Sequence, residues 1–188
     1  MKMDAAVKKV IGDLRVADAK TVGEVLAAHT DFKNTHSARV QAQKQLNLLV
    51  ETGELIRGDG FYAVKGYRGS FTQGSHDRLV TDAIARLILL KLPISVRREV
   101  SFPIGLRSDI VALIGKNGQG TCTVVEVANH ETPEYLNQKI VAWKHWQGAN
   151  EALRQLFNVP IPAFTLVVYG KAHPEAMDFE TFIKEVQK

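Results

Sequence analysis

The chain has 188 residues, of which 45% are hydrophobic and 23% charged, and its net charge is +4. This length accommodates one large domain or two small ones, and the composition is that of a folded protein. A single cysteine, Cys122, excludes an internal disulfide framework and a cysteine-based zinc site. No apolar run approaches the ~20 residues of a membrane span, and the first residues lack the apolar core of a signal peptide. We therefore expect a cytoplasmic protein without a membrane partner, whose mildly basic character suits an anionic partner such as DNA.

The first 66 residues carry the pattern of three helices followed by a β-hairpin. Apolar residues recur at helical spacing in three stretches, which predicts helices over 4–14, 21–28 and 36–51. Two short apolar stretches then flank a Gly-Asp-Gly turn, which is a strong hairpin signal. Three helices and a hairpin predict a winged helix-turn-helix domain over residues 1–66.

The third predicted helix carries side chains that suit DNA. Arg, Gln and Asn read base edges in the major groove, while Lys and Arg contact phosphate. The candidate DNA-binding residues of this domain are Arg39, Gln43, Lys44 and Asn47 on the helix and Arg57 beside the hairpin tip. The alternative is a protein–protein module whose third helix is merely solvated.

Residues 67–75 show no apolar periodicity and contain the glycines of a linker, so we predict a second domain over 76–188. Its pattern predicts the following elements: a helix over 76–91, strands over 96–102, 106–114 and 121–128, a helix over 133–157 with a break near Gly148, a strand over 164–169 and a helix that opens at His173. This order indicates a mixed sheet with helices on its faces, which is an α+β or α/β fold.

Two carboxylates lie inside the apolar second and third strands of this domain. A strand that buries one face rarely holds residues such as Asp109 and Glu126 without giving each a partner or a metal. Paired carboxylates from adjacent strands can hold Mg²⁺ or Mn²⁺ for phosphodiester chemistry. The alternative is that one or both carboxylates face solvent.

The order α-β-β-β-α-β, with Asp109 on the second strand and Glu126 on the third, resembles the restriction-endonuclease-like, or PD-(D/E)XK, nuclease core over roughly residues 75–169. The resemblance implies a restriction-endonuclease-like mixed sheet. It also implies that Asp109 and Glu126 are the metal carboxylates of a site that takes Mg²⁺ or Mn²⁺.

A second resemblance concerns the whole chain. The chain is similar to the replication-relaxation proteins of plasmids and mobile elements in its helix-turn-helix and in four later motifs: His-Asp at 76–77, Ser-Asp at 108–109, Glu-Val-Ala at 126–128 and Gln-Lys-Ile at 138–140 with Trp143. This resemblance implies a role in the replication, maintenance or regulation of plasmid or mobile DNA.

One position departs from the nuclease pattern. Alternation along the strand puts Ala128 on the same face as Glu126, where the pattern has a lysine that orients the attacking water. Losing one such group costs on the order of 10²–10³ in rate. Three residues are candidates to replace it: Lys139, His130 as a base, and Gln138 as a ligand of water or phosphate. The alternatives are a solvated Lys139 and a capping turn at His130.

Arg97, Arg98 and Arg107 form a candidate phosphate-contacting edge, and the alternative is that they pair with Glu99 and other acids. The missing strand lysine favours, as first hypothesis, a DNA-binding protein with a degenerate nuclease site. The nuclease-like domain would then add DNA contacts or form a homodimer. The second hypothesis is a Mg²⁺-dependent endonuclease with a relocated lysine, and the third is a protein–protein adaptor.

Overall fold

The computed structural model describes residues 3–29, 32, 34–72, 74–92, 94–116, 119–129 and 132–188. Within these ranges the chain forms the following elements: α1 (Met3–Leu14), β1 (Val16–Asp18), α2 (Ala19–His29), α3 (Thr35–Glu51), β2 (Leu55–Gly58), β3 (Phe61–Val64), α4 (His76–Ile88), β4 (Ile94–Ser101), β5 (Arg107–Lys116), β6 (Gln119–Val127), α5 (Pro133–His145), α6 (Ala149–Phe157), β7 (Phe164–Tyr169), β8 (Met177–Asp178) and α7 (Phe179–Gln187). None of the described helices is both long enough and apolar enough to cross a membrane.

Contacts within the chain divide it into two compact units, Met1–Lys91 and Leu92–Lys188. Helix α4 belongs to the first of these units, whereas the sequence pattern assigns it to the second domain. Two side chains of α4 contact other elements of this unit. The Thr81 hydroxyl donates a hydrogen bond to the Leu14 carbonyl at 2.9 Å, and the Arg78 guanidinium lies 3.8 Å from the centroid of the Phe61 ring.

The first unit contains a three-stranded antiparallel sheet in the order β1-β3-β2. The predicted hairpin is confirmed: β2 and β3 pair up to Gly58 and Phe61, and the turn consists of Asp59 and Gly60, with φ values of 47° and 81°. Positive φ at both turn residues gives the twist that a two-residue hairpin requires. Strand β1 was not predicted, because three residues are too few to show alternation.

Helices α2 and α3 cross closely at Gly23. A Cβ atom at this position would lie 2.6 Å from the Cα atom of Arg39, so only glycine permits the observed approach of the two backbones. The N-terminus of α3 is fixed by Asn34, whose side chain accepts a hydrogen bond from the backbone N–H of Ser37 at 2.8 Å. These two features set the position and the start of the third helix.

The second unit contains a five-stranded mixed sheet in the order β4-β5-β6-β7-β8. Strands β4, β5 and β6 are antiparallel neighbours, β7 is parallel to β6, and β8 is parallel to β7. The mixed sheet and the mixed α and β character predicted from the sequence are therefore confirmed. The break predicted near Gly148 is also confirmed, since α5 ends at His145 and α6 begins at Ala149.

The predicted start of the terminal helix at His173 is wrong. Residues 177–178 form the short strand β8 instead, and α7 begins at Phe179. The physical reason is the cap: the Asp178 side chain accepts a hydrogen bond from the Thr181 backbone N–H at 3.1 Å, which fixes the start of the helix there. The preceding residues form a local turn in which the Glu175 N–H donates to the His173 ring.

Helix α5 covers one face of the second sheet. Val124 and Ala128 join the same buried cluster as Ile140 and Trp143 of α5. Glu126 lies between Val124 and Ala128 at the alternating position of the strand, so its side chain points into the same layer.

Candidate active site

The two strand carboxylates lie side by side under α5. Ile110 and Val125 pair in the β5–β6 ladder, and Asp109 precedes Ile110 while Glu126 follows Val125, so both carboxylates lie next to the same paired position of neighbouring strands. The exposed fraction is 8% for Asp109 and 0% for Glu126. The expectation that strand carboxylates would be buried with a partner is confirmed, and the alternative that they face solvent is wrong.

Lys139 joins this pair from α5. Its Nζ atom lies 3.6 Å from Oδ2 of Asp109 and also contacts Oε2 of Glu126, so one ammonium bridges both carboxylates. The side chain belongs to the buried stripe of α5, with an exposed fraction of 8%. The alternative of a solvated helix lysine is therefore wrong. Asp109, Glu126 and Lys139 together are called the carboxylate–lysine cluster below.

Two further donors hold the carboxylates in place. The indole Nε1–H of Trp143 donates to Oε1 of Glu126 at 2.9 Å, and the backbone N–H of Val127 donates to Oδ2 of Asp109 at 2.8 Å. Oε2 of Glu126 forms no hydrogen bond of good geometry within the described residues, and the Lys139 ammonium is its ionic partner. The sequence pattern gave no sign of this polar contact of Trp143.

Burial decides the protonation of Glu126. Removal from water raises the pKa of Glu126 to about 7, the Lys139 ammonium opposes this rise, and the neighbouring Asp109 carboxylate adds to it. Glu126 therefore exchanges its proton near neutral pH, although it lies next to a cation.

The donor chemistry of the cluster fits a hard divalent cation. Mg²⁺ and Mn²⁺ prefer carboxylate oxygen, and Mg²⁺ usually binds through one or two carboxylates and completes its shell with water or phosphate. Oε2 of Glu126 is held by the Lys139 ammonium and would become a ligand once that ammonium moves aside. Because the Lys139 ammonium contacts both carboxylates, it must shift before a cation can bridge them. The parts of the chain that are described contain no group of three or more His, Cys, Asp or Glu side chains arranged for a metal.

Of the other two candidates to replace the strand lysine, the structure describes only Gln138. His130 lies outside the described residues. Gln138 is exposed on α5, outside the buried stripe that holds Lys139. Tyr135, which the sequence did not indicate, is 51% exposed, and its ring centroid lies 5.9 Å from Nζ of Lys139. Tyr135 therefore marks the solvent side of the cluster.

The three arginines predicted to form a phosphate-contacting edge lie in different surroundings. Arg97 is exposed and Arg98 half-buried, and as strand neighbours they point to opposite faces of β4. Arg107 forms an ion pair with Glu99 at 3.0 Å, which is the alternative considered for it. Glu99 lies in β4 between the Arg98–Ile110 and Val100–Ser108 pairs and has a φ of 54°, which is uncommon for a residue other than glycine.

The candidate DNA-contacting residues of α3 fall into two groups. Gln43 and Asn47 are half-buried and bonded to the hydroxyl of Tyr62 on β3: Gln43 Nε2 donates to Tyr62 Oη, and Tyr62 Oη donates to Oδ1 of Asn47 at 2.6 Å. Arg39 and Lys44 are exposed on the same helix. The first group therefore ties α3 to the sheet, and the second is available to a partner.

Arg57 is exposed on β2, and its guanidinium lies 5.3 Å from the centroid of the Tyr62 ring. The hairpin cation and the α3 network thus share one tyrosine, which faces its ring to Arg57 and its hydroxyl to Gln43 and Asn47. Reading of DNA bases by these residues stays a prediction.

No protein-family model, no curated protein and no solved structure matches this chain.

Proposed function

We propose that the chain binds DNA and that the carboxylate–lysine cluster of its second unit cleaves DNA with the help of Mg²⁺ or Mn²⁺. The observation that carries this proposal is the contact of Lys139 with both Asp109 and Glu126. The main argument against catalysis was Ala128, which stands where the nuclease pattern has lysine. A helix lysine that reaches the same carboxylates answers that objection.

The architecture of the second unit supports the proposal. The unit has three antiparallel strands, then α5 and α6, then a parallel fourth strand, which is compatible with the β-β-β-α-β part of a restriction-endonuclease-like core. The helix that opens that order, α4, belongs to the first unit. The two carboxylates lie on the second and third strands of the second unit. Because fold alone does not determine activity, the proposal depends on the cluster and not on the strand order.

The chemistry would be hydrolysis of a phosphodiester, in which water adds to phosphorus and the bond to one sugar oxygen breaks. A divalent cation bound to Asp109 and Glu126 would polarise the phosphate and lower the pKa of the attacking water. The Lys139 ammonium would hold the water or a phosphate oxygen and offset the negative charge that develops there. The solvent side of the cluster, marked by Tyr135, is where the phosphate would approach.

The first unit supports the DNA-binding part. Its order of one helix, a short strand, two helices and a hairpin suits a winged helix-turn-helix. Arg39 and Lys44 are exposed on α3 and Arg57 on the hairpin, where cations would contact phosphate or base edges. The close crossing at Gly23 and the Tyr62 network hold α3 in one orientation for that contact.

A second candidate is DNA binding without cleavage, on a nuclease-like scaffold that has lost its activity. The complete burial of Glu126 favours it, because both carboxylate oxygens are already engaged by Trp143 and Lys139. In this case the cluster would be a buried ion group that only specifies the packing of α5.

The test is a cleavage assay on supercoiled, linear and branched DNA with Mg²⁺ or Mn²⁺, together with a gel-shift assay in EDTA. Asp109→Asn removes one charge with little change of shape, and Glu151→Gln, in an exposed pair with Arg154 of the same unit, is the matched control. We expect metal-dependent cutting by the wild type and the control, none by Asp109→Asn, and retardation of DNA by all three.

Retarded but uncut DNA under every condition would support the second candidate. Absence of both cutting and retardation would contradict both candidates and leave the protein–protein adaptor as the interpretation to pursue.

A further inference from the structure

Trp143 lies at the centre of an aromatic cluster beneath α5 and is 1% exposed. Its ring centroid is 5.0 Å from that of Phe102, 5.6 Å from Phe164 and 5.7 Å from Trp146. A phenylalanine would fill much of this space and make similar ring contacts. The feature that distinguishes tryptophan here is its indole N–H, which needs an acceptor when buried.

That N–H donates to Glu126, the most deeply buried member of the carboxylate–lysine cluster. Trp143 and Lys139 are one helical turn apart on α5, so both side chains reach the same strand. Trp143 binds Oε1 of Glu126, while Lys139 contacts Oε2. The helix thus holds the two oxygens of one carboxylate at two points.

We propose that Trp143 is a positioning residue for Glu126, whose indole N–H holds Oε1 so that Oε2 stays directed toward Lys139 and the cation position. This inference rests on the proposed function, in which Oε2 is a metal ligand. Without the indole donor, the Lys139 ammonium alone would hold the Glu126 carboxylate, and its orientation between strand and helix would be less well fixed.

The first measurement compares Trp143→Phe with Trp146→Phe in single-turnover and steady-state cleavage. Trp146 packs in the same aromatic cluster but, within the described residues, forms no hydrogen bond with Glu126, so it is the matched control. Loss of one hydrogen bond to a charged group predicts a fall in kcat of about 10- to 100-fold for Trp143→Phe, with KM for DNA within about twofold of the wild type. Trp146→Phe should stay within about threefold of the wild-type kcat if its ring only packs.

The second measurement needs no cleavage. The chain has two tryptophans, so the indole N–H resonance that remains in a ¹⁵N correlation spectrum of Trp146→Phe belongs to Trp143. This resonance should move in Glu126→Gln and on addition of Mg²⁺ to the wild type. The Trp146 indole resonance should move much less in both cases.

Equal losses of kcat in the two tryptophan variants would assign Trp143 a packing role and overturn the proposal. An indole resonance of Trp143 that stays in place in Glu126→Gln would also overturn it, even where Trp143→Phe does not fold. If the wild type cuts no DNA but the resonance moves in Glu126→Gln and with Mg²⁺, the proposed function fails while the positioning of Glu126 by Trp143 stands.

Discussion

Each of the two units holds a polar cluster that links a helix to a sheet, and the two clusters differ in charge. In the first unit Gln43, Asn47 and Tyr62 form a neutral network between α3 and β3. In the second unit Asp109 and Glu126 meet Lys139 between the sheet and α5. A neutral network with all its hydrogen bonds formed is compatible with a stable core. Charged groups that are buried lose their favourable hydration by water, which costs free energy of folding.

The difference indicates what each cluster is for. The neutral network can be explained by structure alone, since it fixes α3 on the hairpin. The charged cluster is an inefficient way to fix α5, because well-packed apolar side chains of similar volume often stabilise a protein as well or better. This is the reason we propose chemistry at the site, rather than stability, as the role of these three buried ionisable groups.

The largest expected effect on stability comes from removing the cation of the charged cluster. Lys139→Met keeps the length of the side chain but leaves two buried carboxylates without their ammonium, which should lower the free energy of unfolding by about 3–5 kcal/mol near pH 8. Urea denaturation measures this loss. Lys144→Met, on the exposed side of the same helix, is the control and should change little. A Lys139→Met protein as stable as the wild type would show that the cluster is not the buried ion group described.

The next effect concerns pH. Burial raises the pKa of Glu126 from 4.5 to about 7, so between these values the folded protein keeps a proton that the unfolded chain has released. The contribution of Glu126 to the free energy of unfolding should therefore fall as the pH rises from about 5 to about 7, by on the order of 2 kcal/mol. In Glu126→Gln this decline should disappear. A decline of equal size in both proteins would assign the pH dependence to other groups.

A smaller effect is expected in the neutral network. Tyr62→Phe removes the hydroxyl but leaves the direct bond between Gln43 and Asn47, with 3.2 Å between donor and acceptor. The expected loss of stability is about 1 kcal/mol and should not vary between pH 5 and pH 8 in thermal or urea unfolding, since no charge is involved. A pH-dependent loss would remove the contrast between the two clusters.

The smallest effect is expected at the surface of the second unit. Glu151 is exposed to solvent. Its hydrogen bonds with Arg154 and Gln155 lower the pKa of Glu151 to about 2. An exposed ion pair gains little because water solvates and screens both partners. Glu151→Gln should leave the unfolding midpoint in urea unchanged within error. A clear destabilisation would mean that exposed ion pairs contribute to the free energy of unfolding as buried ones do.

Part of this arrangement could be predicted from sequence. The apolar strand pattern placed Asp109 and Glu126 inside two neighbouring strands, and the Gly-Asp-Gly turn predicted the hairpin of β2 and β3. Strands β1 and β8 could not be predicted, because their three and two residues pair with distant parts of the chain and show no period of their own.

The position of Lys139 could be predicted only in part. Its spacing from Leu136 and Trp143 puts it on the apolar stripe of α5, but a stripe does not reveal whether a lysine at its border turns to water or to a carboxylate across the layer. That choice depends on how α5 packs on the sheet. The hydrogen bond from Trp143 to Glu126 depends on the same packing and left no signal in the sequence.

The most direct test of the central claim is the single-turnover rate of DNA cleavage, with Mg²⁺ or Mn²⁺, by the wild type, Lys139→Met and the control Lys144→Met, each checked for folding by circular dichroism. If the carboxylate–lysine cluster is the active site, the wild type and the control should cut at similar rates, and Lys139→Met should be slower by on the order of 10²–10³. A folded Lys139→Met protein that cuts at the wild-type rate, or a wild-type protein that binds DNA and never cuts it, would contradict the claim.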